Sequence, residues 1–279
     1  MSDTLEKIGN SQIQHGPDND RIYLMKLDPA DLPGIIEQLN KLASQNGYTK
    51  IFAKVPSPHA AAFIEGDYRR EGTIPTFYSG KTDAAFLGKF IDPTREITPQ
   101  RGEIERIITL AQSKNGRAAG PLPEGYTLRT ATEDDAEELA AVYEQVFESY
   151  PFPIQDPNYL IETMRNHVCY FVAEKDGKIA AAASGEMDKE NRNAEMTDFA
   201  TLPDHLGRGL AVHLLKFMEP EMKKRGIATL YTIARAVSPG MNITFSKCGY
   251  TFGGTLINNT QISGAIESMN LWYRPDIRA

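Results

Sequence analysis

Residues 195–211 read EMTDFATLPDHLGRGLA and pass from a β-prone run, through a loop with two glycines, into an amphipathic helix. Glycine at 207 and 209 lets the backbone turn tightly and leaves no Cβ between the amide groups and a ligand. The first amides of a helix lack partners within it, and the helix dipole favours negative charge at that end. The segment therefore predicts a cradle for a phosphate group, with Arg208 as a cation at its mouth.

A pair of glycines also occurs in ordinary strand–helix turns, so its position in the chain has to separate the alternatives. A dinucleotide-binding fold would place Gly-x-Gly-x-x-Gly directly after the first strand of a parallel βαβ unit. Here the glycines come late, after a hairpin predicted at residues 168–174 and 178–185 across Asp176-Gly177. This placement excludes dinucleotide binding and leaves a phosphate cradle or an ordinary turn.

Strands and helices are predicted on both sides of the loop. A strand at residues 126–130 precedes Thr132 and Asp135, which have capping-box spacing, and Asp156-Pro157 is typical of a helix start. The later predicted elements are strand 195–200, helix 209–224, strand 229–234, helix 240–247 and strand 267–274. The order predicts an α/β fold with a mixed sheet.

Three glycines and two prolines within residues 115–125 indicate a linker. It divides a main domain at 126–279 from a smaller α/β domain at 21–114, whereas the polar residues 1–20 are expected to be disordered. The smaller domain is predicted to contain strand 21–27, a helix ending at Asn46-Gly47, strand 50–55, helix 59–70, the antiparallel strands 73–78 and 84–91, and helix 99–114.

The composition narrows the class of protein. The 279 residues carry a net charge of −7 and no basic run, which argues against nucleic-acid binding and is compatible with a cationic substrate. No apolar run approaches the roughly 18 residues that would span a membrane. Cys169 and Cys248 are too isolated for a disulfide framework or a zinc site, and the N-terminus lacks a signal peptide, so we expect a reducing, cytoplasmic compartment. His205 and His213 lack metal-pair spacing, and we predict no metal.

Residues 126–274 resemble the GNAT acetyltransferase family. That family's phosphate loop reads Gln/Arg-x-x-Gly-x-Gly/Ala, and the last three positions of residues 206–211 match it, whereas Leu206 does not. The resemblance implies acetyl-CoA as co-substrate. It assigns cofactor contacts to Phe199, Ala200, Thr201, Leu206, Gly207, Arg208, Gly209, Leu210, Ala211, Asn242 and Phe245. Asn242 has a second reading, as a cap for the helix that follows Gly240.

A later family block resembles FSKCGY at residues 245–250. The family often has a tyrosine as general acid where this chain has Phe245. The resemblance therefore implies that this proton donor is missing or supplied by another group.

An amine acceptor requires a base. An alkyl ammonium has a pKa near 10.4, so only about one molecule in 10³ is a free amine at neutral pH, and removing that handicap is worth up to roughly 4 kcal/mol. Glu195 occupies the strand position where the family often has a glutamate that acts as the general base, and Asp198 is a second candidate. Residues three apart leave opposite faces of a regular strand, so the two share a site only across a bulge, which the resemblance suggests here. The alternative is that both are rim carboxylates without a role.

The acceptor is expected to contact the loop at residues 148–153. The resemblance places this loop around the acceptor, where Glu148 would face an ammonium while Tyr150 and Phe152 clamp an alkyl chain; alternatively, the loop only covers the core. Backbone amides from Phe199 to Leu202 would polarise the thioester carbonyl, as the resemblance implies.

A narrower resemblance, over the whole chain, is to the β-lysine N6-acetyltransferases. It rests on AEMTDFAT at 194–201, SPGMNITF at 238–245 and GTIPTFY at 72–78. It implies acetylation of the terminal amine of β-lysine to the osmolyte Nε-acetyl-β-lysine. The alternatives are another small amine, such as a polyamine, or a non-catalytic acyl-CoA sensor; Phe245 favours the sensor and Glu195 argues against it.

Residues 21–92 repeat the β-α-β-α-β-β order found from Glu195 onward, and residues 68–72 resemble the end of the family's aromatic block. We therefore predict a degenerate half-copy of the same fold. Residues 28–33 contain no Gly-x-Gly, so this half should not bind coenzyme A. Its expected role is to cover a sheet edge or to form the contact of a homodimer.

Overall fold

A mixed sheet of thirteen strands runs through both halves of the chain in the computed structural model, which describes residues 3–117, 120–148, 150, 152–262 and 264–275. The strands are β1 (Thr4–Ile8), β2 (Ser11–Gly16), β3 (Arg21–Lys26), β4 (Lys50–Pro56), β5 (Arg69–Tyr78), β6 (Thr82–Phe90), β7 (Tyr126–Thr130), β8 (Val168–Lys175), β9 (Lys178–Asp188), β10 (Asn193–Thr201), β11 (Thr229–Arg235), β12 (Thr251–Ile262) and β13 (Ala265–Arg274). The helices are α1 (Gly34–Asn46), α2 (Ala60–Glu65), α3 (Arg101–Gln112), α4 (Ala136–Val146), α5 (Pro157–Asn166), α6 (Leu210–Lys224) and α7 (Pro239–Lys247). This architecture confirms the predicted α/β class.

Local sequence signals set several of these boundaries. Thr132 and Asp135 form the predicted capping box before α4. The Asp156 carboxylate accepts a hydrogen bond from the amide of Asn158, with Pro157 at the first helical position of α5. Gly47, in the left-handed conformation, ends α1 as expected.

The expectation that residues 1–20 are disordered is wrong for residues 3–20; residues 1 and 2 lie outside the described part of the chain. Residues 4–16 form the hairpin β1–β2, and β2 pairs antiparallel with β3. Ile13 is fully buried, and the Asp31 carboxylate accepts hydrogen bonds from the hydroxyl and the amide of Ser11 at 2.6 and 2.8 Å. The segment has little hydrophobic core of its own, and it is ordered because it pairs with distant parts of the chain. Its polar composition therefore suggested disorder.

The helix predicted at residues 59–70 is also too long. Helix α2 ends at Glu65, and the chain enters β5 at Arg69, which pairs with Gly88 of β6. Pairing with β6 outweighs the local helical tendency. Helix α3 packs against α7 and contributes Ala111 to the core of the second half, while the domain boundary at the 115–125 linker stays a prediction.

The two halves repeat one topology. Strands β1–β6 with α1 and α2 follow the same order as β8–β13 with α6 and α7: a hairpin, a parallel pair around a helix, and a second antiparallel pair. The parallel pairs are β3–β4 and β10–β11. The predicted half-copy is therefore present, and the N-terminal hairpin extends it.

The halves join edge to edge, where Gly72 of β5 pairs with Gly254 of β12. A Cβ at Gly254 would lie 2.2 Å from the Glu71 carbonyl oxygen, so only glycine fits there. Beside this seam, the fully buried Lys50 ammonium is 2.8 Å from the Glu71 carboxylate and donates to the Ile257 carbonyl at 2.7 Å. Because the buried ammonium donates hydrogen bonds to both the carboxylate and the carbonyl, it links β4 and β5 to β12.

An aromatic cluster also connects the halves. The ring of Phe77, on β5, lies 5.0 Å from that of Tyr231, on β11. Near it, the side-chain amide of Asn193 donates to the Phe77 carbonyl, and the Thr229 hydroxyl donates to the Thr76 carbonyl at 3.0 Å. The first half of the sheet is thereby held against the strands that carry the predicted chemistry.

Candidate active site

Strands β10 and β11 separate at the point where the carboxylates were expected. They pair in parallel from Asn193–Thr229 to Glu195–Tyr231 and no further. Strand β10 continues along β9, with a register shift between Thr197 and Ala200 and a positive φ of 53° at Asp198. The bulge on which the shared site depended is present at Asp198, three residues beyond Glu195, the last residue of β10 that pairs with β11.

The glycine loop has the geometry of an anion site. Gly207 and Gly209 have φ values of 74° and 73°, and Gly209 caps α6. An added Cβ at either position would meet no atom within 4 Å, so the space beside the backbone is open. Among the described residues, no acceptor takes a hydrogen bond from the amides of Gly209, Leu210 or Ala211. These residues fit a pyrophosphate group.

Glu195 has the electrostatics of a base. Its side chain is partly exposed at the opening between the strands. Burial and the neighbouring Glu186 carboxylate raise the pKa of the Glu195 carboxyl to about 8, and the Lys54 ammonium opposes this shift. Glu186 lies directly opposite Glu195 across the β9–β10 ladder. A carboxyl with a pKa near neutrality holds a proton far better than an ordinary glutamate does.

Asp198 is held by hydroxyl groups. Its carboxylate accepts hydrogen bonds from the Tyr150 hydroxyl, from the Ser184 hydroxyl at 2.5 Å and from the Thr197 hydroxyl at 3.4 Å. Burial raises the pKa of Asp198, while the hydrogen bonds from Ser184 and Tyr150 oppose the shift. Both carboxylate oxygens are engaged, so Asp198 is better suited to positioning than to proton transfer. It also fixes Tyr150, from the predicted acceptor loop, next to Glu195.

Comparison with known proteins agrees with this geometry. Residues 137–250 match the acetyltransferase (GNAT) family. A β-lysine N(6)-acetyltransferase from Methanococcus maripaludis is 42% identical over 268 residues, which cover 96% of this chain and 97% of the relative. The chain belongs to the GNAT acetyltransferase family. It is an acetyl-CoA-dependent N-acetyltransferase.

Two further relatives extend over most of the chain. A β-lysine N(6)-acetyltransferase from Methanosarcina mazei is 40% identical, covering 85% of this chain and 94% of its own length. The N-acetyltransferase YodP from Bacillus subtilis is 30% identical, covering 94% of both chains. The Methanococcus maripaludis and Bacillus subtilis relatives thus align with nearly the whole chain, including the first half of the sheet.

Four of the residues predicted to contact acetyl-CoA have buried side chains, namely Ala200, Leu210, Asn242 and Phe245. The Asn242 side chain is fully buried; its amide nitrogen donates to the carbonyls of Arg235 and Ser238, and its oxygen accepts from Asn270 and Trp272, each at 2.8 Å. With every hydrogen-bonding position filled, Asn242 joins α7 to β11 and β13. This burial argues against the predicted cofactor contact.

Phe245 is likewise fully buried, with ring centroids 5.6 Å from Phe199 and 5.1 Å from Tyr250. This position argues against a direct contact between Phe245 and acetyl-CoA. The Leu202 amide donates to the Ala180 carbonyl at 3.0 Å, so it is not free to polarise a thioester carbonyl. Of the amides predicted for that role, those of residues 199–201 remain. Ala200 is buried in the core on the α4 side of the sheet.

The remaining predicted residues lie nearer the surface. Leu206 is 63% exposed, and the Arg208 guanidinium reaches the Asp204 carbonyl at 3.3 Å from the open side of the loop. Glu148 is exposed, and no described residue bonds to its carboxylate; Phe152 is 37% exposed. Their predicted contacts with the acceptor stay predictions, as does that of Thr201.

Sequence reasoning missed residues from other strands, namely Ser184, Glu186 and Tyr231 near the carboxylates, and Lys54 from the first half. Tyr231 lay within a predicted strand, but only the pairing of β10 with β11 shows that it faces Glu195. Lys54 had no local signal at all. Within the described part of the chain, no cluster of three or more histidine, cysteine or acidic side chains is arranged to hold a metal ion, and no helix is long and apolar enough to cross a membrane.

Proposed function

We propose that this enzyme acetylates the terminal N6 amine of β-lysine. The observation that carries the proposal is Glu195, a carboxyl with a raised pKa at the opening between β10 and β11. The names of two relatives, at 42% and 40% identity over most of the chain, supply the acceptor. A non-catalytic sensor would have no use for such a base.

The acidic residues account for the choice of a cationic amine. The acceptor's ammonium enters a site lined by Glu195 and Asp198, and Glu195 takes its proton so that the nitrogen can attack the thioester carbon. Acetyl-CoA supplies the acetyl group: as the new C–N bond forms and the C–S bond breaks, the nitrogen loses its second proton and the sulfur leaves as the coenzyme A thiol. Asp198, held by Ser184 and Tyr150, keeps the acceptor nitrogen in position.

The product would be the osmolyte Nε-acetyl-β-lysine, made in the cytoplasm. Both cysteines, Cys169 and Cys248, are unpaired and buried, which agrees with a reducing compartment. The homodimer expected from the sequence stays a prediction.

The test is a comparison of acceptors under one set of conditions. We expect kcat/KM for β-lysine to exceed the values for α-lysine and cadaverine by at least tenfold, because a site that pairs both ends of a zwitterion leaves a partner unpaired when one end is missing. NMR of the product should locate the acetyl group on N6. Equal values for cadaverine and β-lysine, or acetylation at the 3-amino group, would contradict the proposal.

A further inference from the structure

Lys54, on β4 of the first half, reaches the site of the second half. Its ammonium lies 5.9 Å from the ring centroid of Tyr23, 5.6 Å from that of Phe77 and 5.9 Å from that of Tyr231. Tyr231 pairs with Glu195 in the β10–β11 ladder, and Lys54 is close enough to influence the Glu195 carboxyl electrostatically. The first half of the sheet therefore places a cation beside the base.

The ammonium of Lys54 has no acceptor. Among the described residues, no oxygen takes a hydrogen bond from it, and no carboxylate lies within 4.0 Å, Glu195 included. Lys50, on the same strand, is the contrast: it pairs with Glu71 and donates to Ile257. Lys54 is partly exposed, and its three N–H groups are available to a ligand.

An ammonium enclosed by aromatic rings gains from the ring faces but still requires an anion for full compensation. Glu195 is an acidic group close enough to act on Lys54, and its proposed function is to accept a proton from the acceptor. A negative charge carried by the acceptor itself would satisfy Lys54 and leave Glu195 free.

We propose that Lys54 binds the carboxylate of the acceptor, so that the acceptor site is built from both halves of the sheet. This rests on the proposed function, since β-lysine carries a carboxylate at the end opposite its N6 amine. Glu195 and Asp198 take the amine, Lys54 takes the carboxylate, and the rings of Tyr23, Phe77 and Tyr231 border the path between them. Lys54 is then a residue that determines specificity.

The alternative is that Lys54 acts only through Glu195, by lowering the pKa of its carboxyl. The two roles differ in what they do to different acceptors. A carboxylate partner matters only for acceptors with a carboxylate, whereas a change in the base affects every amine. The matched acceptor is 1,4-diaminopentane, which is β-lysine with the carboxylate replaced by hydrogen.

The experiment measures kcat and KM for both acceptors in the wild type and in Lys54→Met. We expect the ratio of kcat/KM for β-lysine to that for 1,4-diaminopentane to fall at least tenfold in the variant, mainly through KM for β-lysine. Lys54→Arg, which keeps the charge, should restore part of the ratio. Lys89→Met is the control, because Lys89 is a partly exposed lysine of the same half whose ammonium lies 5.8 Å from the Tyr68 ring, and it should keep the wild-type ratio.

Each result is decisive. An unchanged ratio in Lys54→Met, or an equal loss for both acceptors with a shifted pH profile, would overturn the role of Lys54 and leave the proposed function standing. A wild type that does not prefer β-lysine over 1,4-diaminopentane would overturn the proposed function, and the role of Lys54 with it. Acetyl-CoA affinity by calorimetry checks that each variant is folded, and Lys54→Gln replaces Lys54→Met if the latter is not.

Discussion

Replacing Glu195 by glutamine should change the pH dependence of acetylation as well as its rate. Glutamine keeps the shape of the side chain but cannot accept a proton. Loss of a general base typically lowers kcat by about 10²–10⁴, and we expect a loss of this size at pH 7. Acetyl-CoA affinity should be retained, since the glycine loop at residues 207–209 does not depend on this carboxyl.

The pH effect follows from two pKa values. The wild type uses ionised Glu195 and the acceptor's ammonium; because the pKa of this carboxyl is raised to about 8, its ionised fraction rises roughly tenfold between pH 7 and pH 9. The variant depends on free amine, whose fraction rises about 100-fold over the same interval because the ammonium pKa is near 10.4. The deficit of Glu195→Gln should therefore shrink about tenfold between pH 7 and pH 9.

The assay is coenzyme A thiol release with β-lysine, with kcat/KM measured from pH 6.5 to 9.5 in buffers of constant ionic strength. Glu190→Gln is the matched control, because Glu190 is an exposed glutamate on the β9–β10 connection. Activity within threefold of wild type at pH 7 would make Glu195 a bystander and Asp198 the next candidate. A large deficit that stays constant with pH would show that Glu195 holds the acceptor without taking its proton.

Other changes test the surroundings of the site. Glu186→Gln removes a negative charge opposite Glu195 and should move the lower limb of the kcat/KM profile to lower pH; an unmoved limb would contradict the coupling. Gly209→Val should weaken acetyl-CoA binding at least tenfold, about 1.4 kcal/mol by calorimetry, whereas Gly226→Val, with a similar positive φ and equally open space, should not; equal affinities would refute the cradle. Asn242→Ala leaves two buried donors unpaired and should lower the free energy of unfolding by about 3 kcal/mol in urea denaturation; lost acetyl-CoA affinity at unchanged stability would restore the cofactor role.

Features with a local cause could be predicted from the sequence. The capping box at Thr132, the Asp156-Pro157 helix start and the hairpin across Asp176-Gly177 each depend on neighbouring residues, and the structure has all three. Two carboxylates three residues apart could share a site only across a bulge, and the family resemblance suggested such a bulge near Asp198. The structure has it.

Features with a distant cause could not be predicted. Hairpin β1–β2 has too little apolar surface of its own, and its order comes from β3 and from the Asp31 carboxylate. The amide of Asn242 could bind either a ligand or another part of the protein, and the sequence does not tell these apart. Only the fold, which brings Trp272 next to Asn242, shows that its partner is the protein. Lys54 looks like any lysine on an amphipathic strand until the two halves of the sheet are joined.

The glycine seam has a consequence for solubility. If the halves were apart, β5 and β12 would each offer a row of unpaired backbone groups, and such edges recruit strands from other chains. Pairing at Gly72 and Gly254 covers part of both edges within one molecule and leaves β1 and β7 as the outer strands of the sheet. A side chain at residue 254 would clash with the backbone of β5 and separate the two strands. The same change would expose parts of two aggregation-prone edges and would move β4, which carries Lys54, relative to the proposed acceptor site, so one substitution would affect both resistance to aggregation and choice of substrate.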